Sequence, residues 1–375
     1  FSKYLLTGFL TMGLFACSEN NDVPEQGGQD VADAVYMQFK LELPSVGGRS
    51  ATDENDGETN SNANPDFEIG KDRENAVSSA YIVLAKADNS EIVAYQLLEQ
   101  MGTAMNSGNT KIYTVEFEST DLAVTSPGEN LNVYAFCNPT TALAKIITSK
   151  GAFKDAFEQL EADNSVIWGD SKFLMANADN QSKITVPADW KPYFVKTNPF
   201  DLGVIAVERA AARFDYKTTQ ENETYTILND KTNAGKAVLQ VQLTDVALVN
   251  MSRSFYYLRR VSSNGLNTNS EIGALETKTN YVVDTDADDK NGYTAEKWAN
   301  KAGNFFYNSD DAQGPSAWSW TALSAIDEVD NWEGADGNDG YKIWRYAIEN
   351  TIPDPISNQK HGITTGVVFK GKLLG

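Results

Sequence analysis

The sequence predicts a mainly β fold, with two antiparallel β-sandwich domains carrying short helical inserts, and three observations predict it. Short apolar runs rich in Val, Ile, Tyr and Phe recur from Val35 to Lys370, and such residues suit a pleated, half-buried surface. Turn-forming residues separate the runs at short intervals, as antiparallel sandwiches require. Helical periodicity is confined to a few brief stretches. A chain of 375 residues, 41% hydrophobic and 11% aromatic, has the material for real cores and is too long for one ordinary domain.

Residues 1–17 read FSKYLLTGFLTMGLFAC. Lys3 supplies a positive flank, and Tyr4 to Phe15 form an apolar stretch of about a dozen residues, the length of a signal-peptide core and too short for a transmembrane helix. Residues 18–30 are polar and acidic without periodicity and read as a flexible tether.

Residues 35–43, VYMQFKLEL, alternate strictly. Val35, Met37, Phe39, Leu41 and Leu43 fall on one face, and Tyr36, Gln38, Lys40 and Glu42 on the other. This is the pattern of a half-buried strand, roughly 30 Å long at about 3.3 Å per residue. Pro44 ends it, having no N–H to give a ladder. Residues 45–51 are small and glycine-rich with a single cation, Arg49, and 52–66 are almost without apolar side chains. An arginine in such a loop is an accessible trypsin-like cleavage site, and cutting there would free the strand just before it.

Further strands are expected at 80–85, 91–97, 111–117, 132–136, 183–186, 194–196, 203–208, 212–216, 237–248, 254–257, 280–283 and 366–370. Residues 141–148 and 151–160 suggest a helical insert, and 293–302 and 318–325 another turn or two of helix. A boundary near Thr197-Asn198-Pro199 divides the chain into domains at 50–200 and 201–375.

The 52 acidic and 31 basic residues leave a formal charge of −21, which repels phosphate backbones and argues against a nucleic-acid partner. One histidine, His361, and two cysteines, Cys17 and Cys137, are too few for a His-rich metal site, a zinc ribbon or a disulfide framework. They also supply no Cys–His nucleophile pair with its own orienting group. Composition leans away from an enzyme, and no catalytic, cofactor or metal residue is nominated.

Residues 284–292, DTDADDKNG, open like a calcium loop. Asp289 stands where an EF-hand needs glycine, however, and Ala295 where it needs a carboxylate. This stretch and 334–340 read as solvated acidic loops. His361 lies in a polar turn with no nucleophile motif beside it, and Cys137 reads as a buried thiol. Trp318, Trp320, Trp332 and Trp344 either pack or form a platform on which sugars stack. The alternative reading is therefore a lipid-anchored glycan-binding or adhesion protein that does not polymerise.

Leu14-Phe15-Ala16-Cys17 resembles the lipobox of bacterial lipoproteins. Four further strings stand out: FLMAN at 173–177, VERAAARF at 207–214, LTDVALVNMSRSFYYL at 243–258 and YAIENTIPDPISNQKHGITTGVVF at 346–369. Together with the lipobox and the strand ending near Arg49, they resemble strings of the fimbrillin family, the shaft subunits of Bacteroidia type V pili, and particularly its minor-fimbrium branch. Each match is weak alone; jointly they span nearly the whole chain.

The resemblance implies two transthyretin-like sandwich domains. It implies a signal peptide at 1–16, acylation at Cys17 and transient residence as an outer-membrane lipoprotein, since two or three acyl chains anchor stably where one does not. It further implies a propeptide at 17–49, removed by an arginine-specific protease that cuts after Arg49 and leaves Ser50 as the new N-terminus. Strand 35–43 leaves with the propeptide. A strand from another copy or a related subunit then fills the groove, building a cell-surface fimbrium that supports adhesion. The chain starts without Met and stops in what reads as a sheet, where the family's shaft subunits continue into their donor strands. The expectation is a fragment at both ends, the alternative a subunit that does not donate, and no donor residue is named.

The physics is consistent with this scheme. Burying the five apolar side chains of 35–43 is worth about 8–15 kcal/mol gross. Loss of the strand leaves two rows of backbone groups unpaired, a condition that favours β-augmentation. Head-to-tail acceptance is heterologous and does not close, so it makes filaments.

Overall fold

The structure, a computed structural model, describes residues 33–42, 72–101, 111–150, 158–160, 173–177, 182–218, 220–267, 270–272, 281–285, 305–306, 314–326, 331–332, 341–348, 350 and 365–375. All of them belong to one of the chain's two compact units, Ala32–Gly375.

The first half holds β1 (Ala34–Glu42), β2 (Ser79–Lys86), β3 (Ile92–Glu99), β4 (Lys111–Glu118), β5 (Asn130–Cys137), β6 (Glu158–Leu160), β7 (Met175–Ala176), β8 (Lys183–Thr185), β9 (Phe200–Ala206) and β10 (Glu208–Arg209). It also holds the helices α1 (Asp72–Asn75), α2 (Ser119–Leu122) and α3 (Thr141–Thr148). One sheet is ordered β4-β1-β9, with β1 in the middle. The other runs β10-β7-β5-β2-β3 with β8 also on β5, and its pairings are antiparallel. Val35, Met37, Phe39 and Leu41 of β1 share one core with Val115 and Phe117 of β4, Ile82 and Leu84 of β2, and Leu131 and Val133 of β5. Two sheets thus close on one apolar layer, as a sandwich requires.

The second face of β2 and β5 is covered as well. Tyr81, Val83, Tyr134 and Phe136 pack with Leu143 and Ile147 of α3 and with Phe255 and Tyr257 from the second half. A strand buried on both faces reads as an unbroken apolar run, which is why 80–85 and 132–136 do not alternate as 35–43 does. Helix α3 starts where Thr140 caps it, its Oγ1 accepting the Leu143 N–H at 3.2 Å and so satisfying one of the orphan first-turn donors. Leu143 and Ile147, one turn apart, form its buried stripe.

The second half holds β11 (Ala212–Tyr216), β12 (Thr224–Asn229), β13 (Ala237–Val249), β14 (Met251–Ser252), β15 (Ser254–Tyr256), β16 (Arg260–Ser262), β17 (Glu271–Ile272), β18 (Tyr281–Val282), β19 (Phe305–Phe306), β20 (Thr321–Ala322), β21 (Asn331–Trp332), β22 (Tyr341–Ala347) and β23 (Gly366–Leu374). Its larger sheets are β11-β22-β21 and β12-β13-β20, with β23 also on β13. The short β15 pairs with β6 of the first half, and β9 and β10 pair with β1 and β7. Two small cores lie here, one around Val246, Leu323 and Ile326 and one around Leu248, Met251 and Ala347, with Trp344 packed against both.

Mainly β architecture is thus what the chain adopts, with departures in detail. Residues 194–196, expected as a strand, follow a 3₁₀ turn at Lys191–Tyr193. Pro192 has no N–H for a ladder, and the turn is fastened by Asn198 N–H to Val195 O at 3.0 Å and Asn198 Nδ2 to Pro192 O at 2.9 Å. The end of the helix expected at 151–160 is strand β6, which β15 claims by antiparallel pairing; residues 151–157 and 293–302 lie outside the described residues. The turn of helix expected at 318–325 is β20 followed by a 3₁₀ turn at Leu323–Ala325. Strands β12, β16 and β22 are not among the expected ones, although residues 224–227 of β12 alternate.

Asn177, the last residue of FLMAN, continues the β7 ladder with its side chain. Its Nδ2 donates to Val133 O at 2.9 Å and its Oδ1 accepts the Ala135 N–H at 2.8 Å, both buried. Asn177→Ala leaves two buried backbone groups unpaired and is expected to cost about 2–4 kcal/mol, read as a lower urea midpoint at unchanged m-value.

Candidate functional site

The residues of interest are those around β1. Val35, Met37, Phe39 and Leu41 are each no more than 1% exposed, and Lys40 on the opposite face is exposed. On one side β1 runs antiparallel to β4 in unbroken register from Ala34↔Glu118 to Leu41↔Lys111. On the other it runs parallel to β9, where the register steps from Gln38↔Asp201 to Lys40↔Val204. That step inserts one extra residue into β9 at the level of Phe39. Gly203 makes the bulge possible with φ +80, a conformation glycine adopts without penalty, and its N–H is held by Asp201 Oδ1 at 2.9 Å. The Phe39 ring stacks on Tyr113, its direct partner in β4, with centroids 5.5 Å apart and planes 26° off parallel. Tyr113 is itself fixed, its hydroxyl donating to Met101 O at 3.4 Å. Both ends of β1 are tied too: Ser119 N–H donates to Asp33 O at 2.7 Å and Val207 N–H to Glu42 O at 2.9 Å.

Four of the five side chains expected on the inner face are therefore placed together in one core. Leu43, Cys17, Arg49 and Ser50, with His361, lie outside the described residues. Sequence reasoning missed Tyr113 and Gly203 as parts of this slot. The aromatic in the alternating run 111–117 was a legible signal for the first; nothing in the sequence marked the second.

A buried polar network joins this half to the next. Glu74 of α1, 2% exposed, accepts from Arg213 Nη1 at 2.9 Å and from the Tyr346 hydroxyl. Arg213 also grips Asp215 with two hydrogen bonds, Nε to Oδ1 at 2.8 Å and Nη2 to Oδ2 at 2.9 Å, the fork geometry that makes arginine pairs strong. Arg209 Nη1 donates to Asn75 Oδ1 at 2.6 Å, and Arg259 Nη1 to Glu208 Oε2 at 2.8 Å. The charges of VERAAARF are therefore partnered one by one. A second joint lies at Asn250, whose carbonyl accepts from Asn350 Nδ2 at 2.8 Å and Thr365 Oγ1 at 3.0 Å, tying together two of the strings singled out in the sequence.

The other candidate features take ordinary places. Cys137 is free and buried, and burial pushes its thiol up to about 12. Trp344 meets Phe214 edge to face at 6.4 Å. Trp318 and Trp320 pack on one another at 5.7 Å, and the Trp320 Nε1–H donates to Pro315 O at 2.8 Å; the Trp332 side chain lies outside the described residues. Asp284, expected in a solvated loop, is 1% exposed. Its neighbours draw it in, Val283 N–H bonding Arg260 O at 2.9 Å and Thr285 Oγ1 lying 2.6 Å from Ser254 Oγ. Among the described residues no group of three or more His, Cys, Asp or Glu is placed to hold a metal ion.

Neither a protein-family model nor a curated protein sequence matches the chain. Solved structures of fimbrial and adhesion-class proteins are similar to it at low identity. One is a Parabacteroides distasonis protein described as a candidate for cell adhesion, 12% identical with a TM-score of 0.36 over 60% of this chain and 57% of that one. A fimbrial assembly protein from the same organism is 12% identical with a TM-score of 0.33, over 68% of this chain and 80% of that one. The tip fimbrial protein Mfa3 from Porphyromonas gingivalis, with a C-terminal truncation, is 13% identical with a TM-score of 0.37, over 91% of this chain and 99% of that one.

Two expected outcomes follow from the site's chemistry. Glu74→Ala removes the shared acceptor of Arg213 and Tyr346 and should cost about 3 kcal/mol, measured by urea unfolding, with Glu74→Gln milder because it keeps an acceptor. Alkaline pH should also destabilise. Cys137 and Tyr113 keep their protons up to about 12 in the folded chain through burial, while their ordinary values are 9.0 and 10.0. Between those limits the unfolded state binds fewer protons, so stability falls as pH rises from about 9 toward 12. Unfolding midpoints across that range check the sign.

Proposed function

We propose that this chain is a structural subunit of a cell-surface fimbrium, polymerised by exchange of its first strand. In this reading Cys17 carries the lipid of an outer-membrane precursor, and an arginine-specific protease cuts after Arg49, leaving Ser50 at the N-terminus. The strand at 35–43 then gives way to a strand of another subunit, in a chain divided near residue 200 into two transthyretin-like sandwiches with Phe200–Arg209 lending strands to the first. The filament's role is structural and adhesive rather than catalytic.

The observation that carries the reading is the place of β1. It is the middle strand of its sheet, paired on both edges, with its inner face wholly buried, and in sequence it lies a few residues before the glycine loop that bears Arg49. A strand so placed leaves a specific vacancy when removed: two facing edges of unpaired backbone and an apolar trough between them. Burying Val35, Met37, Phe39 and Leu41 is worth about 6–12 kcal/mol gross, and the vacated trough regains a comparable amount only by taking up another strand. Each subunit accepts at one place and donates from another, so assembly is heterologous and runs on into a fibre.

Treatment of the full precursor with an arginine-specific protease should shorten it at Arg49 and yield ladders that resist SDS. Arg49→Ala should abolish both the shortening and the ladders. Ladders that persist undiminished in that variant would count against cleavage-driven exchange.

A further inference from the structure

We propose that the slot of β1 is selective, admitting a strand that carries an aromatic ring at the level of Phe39, in one polarity and one register. The inference rests on the reading that β1 is replaced, and adds to it the chemistry that chooses the replacement.

The first constraint is direction. One wall of the slot, β4, meets β1 antiparallel and the other, β9, meets it parallel. Antiparallel and parallel ladders space their hydrogen bonds differently, the first in alternating close and wide pairs and the second evenly. An entering strand that runs opposite to β1 must exchange both patterns at once, against neighbours already fixed in the core. An occupant with the polarity of β1 keeps both.

The second constraint is register, and the backbone alone sets it weakly. A slip of one residue turns every apolar side chain out of the trough. A slip of two keeps the faces and the ladders, so only side chains distinguish it. Along the trough the levels are unequal. At Val35, Met37 and Leu41 the partners in β4 are Phe117, Val115 and Lys111, and at Phe39 alone a ring meets a ring from the facing strand. Tyr113 is 9% exposed and tied through its hydroxyl to Met101 O, so it is a fixed wall rather than a movable one. The bulge at Gly203 falls at the same level on the opposite wall. One level of the slot therefore differs from the rest on both sides, and the occupant's largest side chain sits there. Shifting the ring by one level forfeits an aromatic pair and puts a ring where a smaller side chain packed, so overpacking and a void arise together.

The test is a strand-replacement assay on the full chain, cut after Arg49 by an arginine-specific protease while its own strand stays docked. A labelled peptide of sequence 33–43 is added in excess in urea below the unfolding midpoint. Uptake of label and release of the cut fragment are followed to constancy. Three further peptides are compared: one with Met37 and Phe39 interchanged, identical in composition; one with Phe39→Leu; and one with the whole sequence reversed. The parent peptide should enter. The interchanged peptide should enter about 100-fold more weakly and the Phe39→Leu peptide about 10-fold more weakly, in line with the cost of misplaced or truncated core rings. The reversed peptide can set its ring at the level of Phe39 only by running opposite to β1. Held to the polarity of β1 it carries Met there and Phe at the level of Met37, so it should enter no better than the interchanged peptide, and uptake equal to the parent overturns the constraint on direction. Equal uptake of the parent and interchanged peptides overturns the selectivity while leaving strand replacement intact. No uptake of the parent overturns the replacement reading on which the selectivity rests. Tyr113→Leu supplies a cycle within the protein: it should narrow the gap between the parent and Phe39→Leu peptides, and an unchanged gap overturns the assignment to that ring.

Discussion

Between Ala34 and Glu42 the backbone of β1 serves two neighbours, β4 on one edge and β9 on the other, and those two strands do not pair with each other. The three-stranded sheet therefore exists only through its middle member. The same strand lines the core with Val35, Met37, Phe39 and Leu41, so pairing and packing in the first half hang on the same residues. β9 in turn leads directly into β10 and the junction with the second half. β1 thus combines two ladders, a row of the core and, through β9, a link to the second half.

Apolar packing is non-directional and would not by itself fix how the segment before β2 meets the later strands. The polar network around Glu74 supplies that direction. Its carboxylate is shared by Arg213 and Tyr346, while Arg209 reaches Asn75 and Arg259 reaches Glu208. Buried ion pairs add little net stability compared with well-packed apolar groups, because desolvation offsets the attraction. Their demand for matched geometry is strict, however, since an unpartnered buried charge is costly. A lattice of this kind holds α1, β10, β11 and β22 in one arrangement. It gives each charged side chain of VERAAARF a partner.

Much of this was legible in the sequence where a single physical rule governs the pattern. β1 alternates because one face is buried and the other is not, and β2 and β5 run unbroken because both faces are covered. α3 shows its capping threonine and its stripe at Leu143 and Ile147. Legibility failed where partners come from far along the chain. β6 is a strand only because β15, almost a hundred residues later, pairs with it, and its own residues resemble the end of a helix. Asp284 is buried between Val283, bonded to Arg260, and Thr285, bonded to Ser254, both partners on other strands, which no local acidic pattern could announce. In the candidate site the inner face of β1 was readable, and so was an aromatic in the run 111–117, but the level at which the two walls differ from the rest was not. The ring of Tyr113 gains meaning only once its register with Phe39 is known, and Gly203 reads as an ordinary glycine until the parallel pairing places it opposite the same residue.

If β1 is exchanged as proposed, its place in the middle of a sheet, rather than at an edge, has mechanical and kinetic consequences. An edge strand contributes one ladder and one covered face, and its loss leaves a single exposed edge that any chain can join. A middle strand contributes two ladders, so its replacement is held on both sides, and the vacancy accepts only a strand that satisfies both at once. Such a joint dissociates slowly, because two ladders and an apolar row must separate together. The price is a subunit that is poorly stable while the slot is empty, which favours filling as the outgoing strand leaves over release first and capture later. In such an exchange Glu74 would be the fixed point. Anchored by Arg213 and Tyr346, it lies downstream of Arg49 and upstream of β2, so a chain cut after Arg49 can lose β1 while the segment that follows stays fastened to the body.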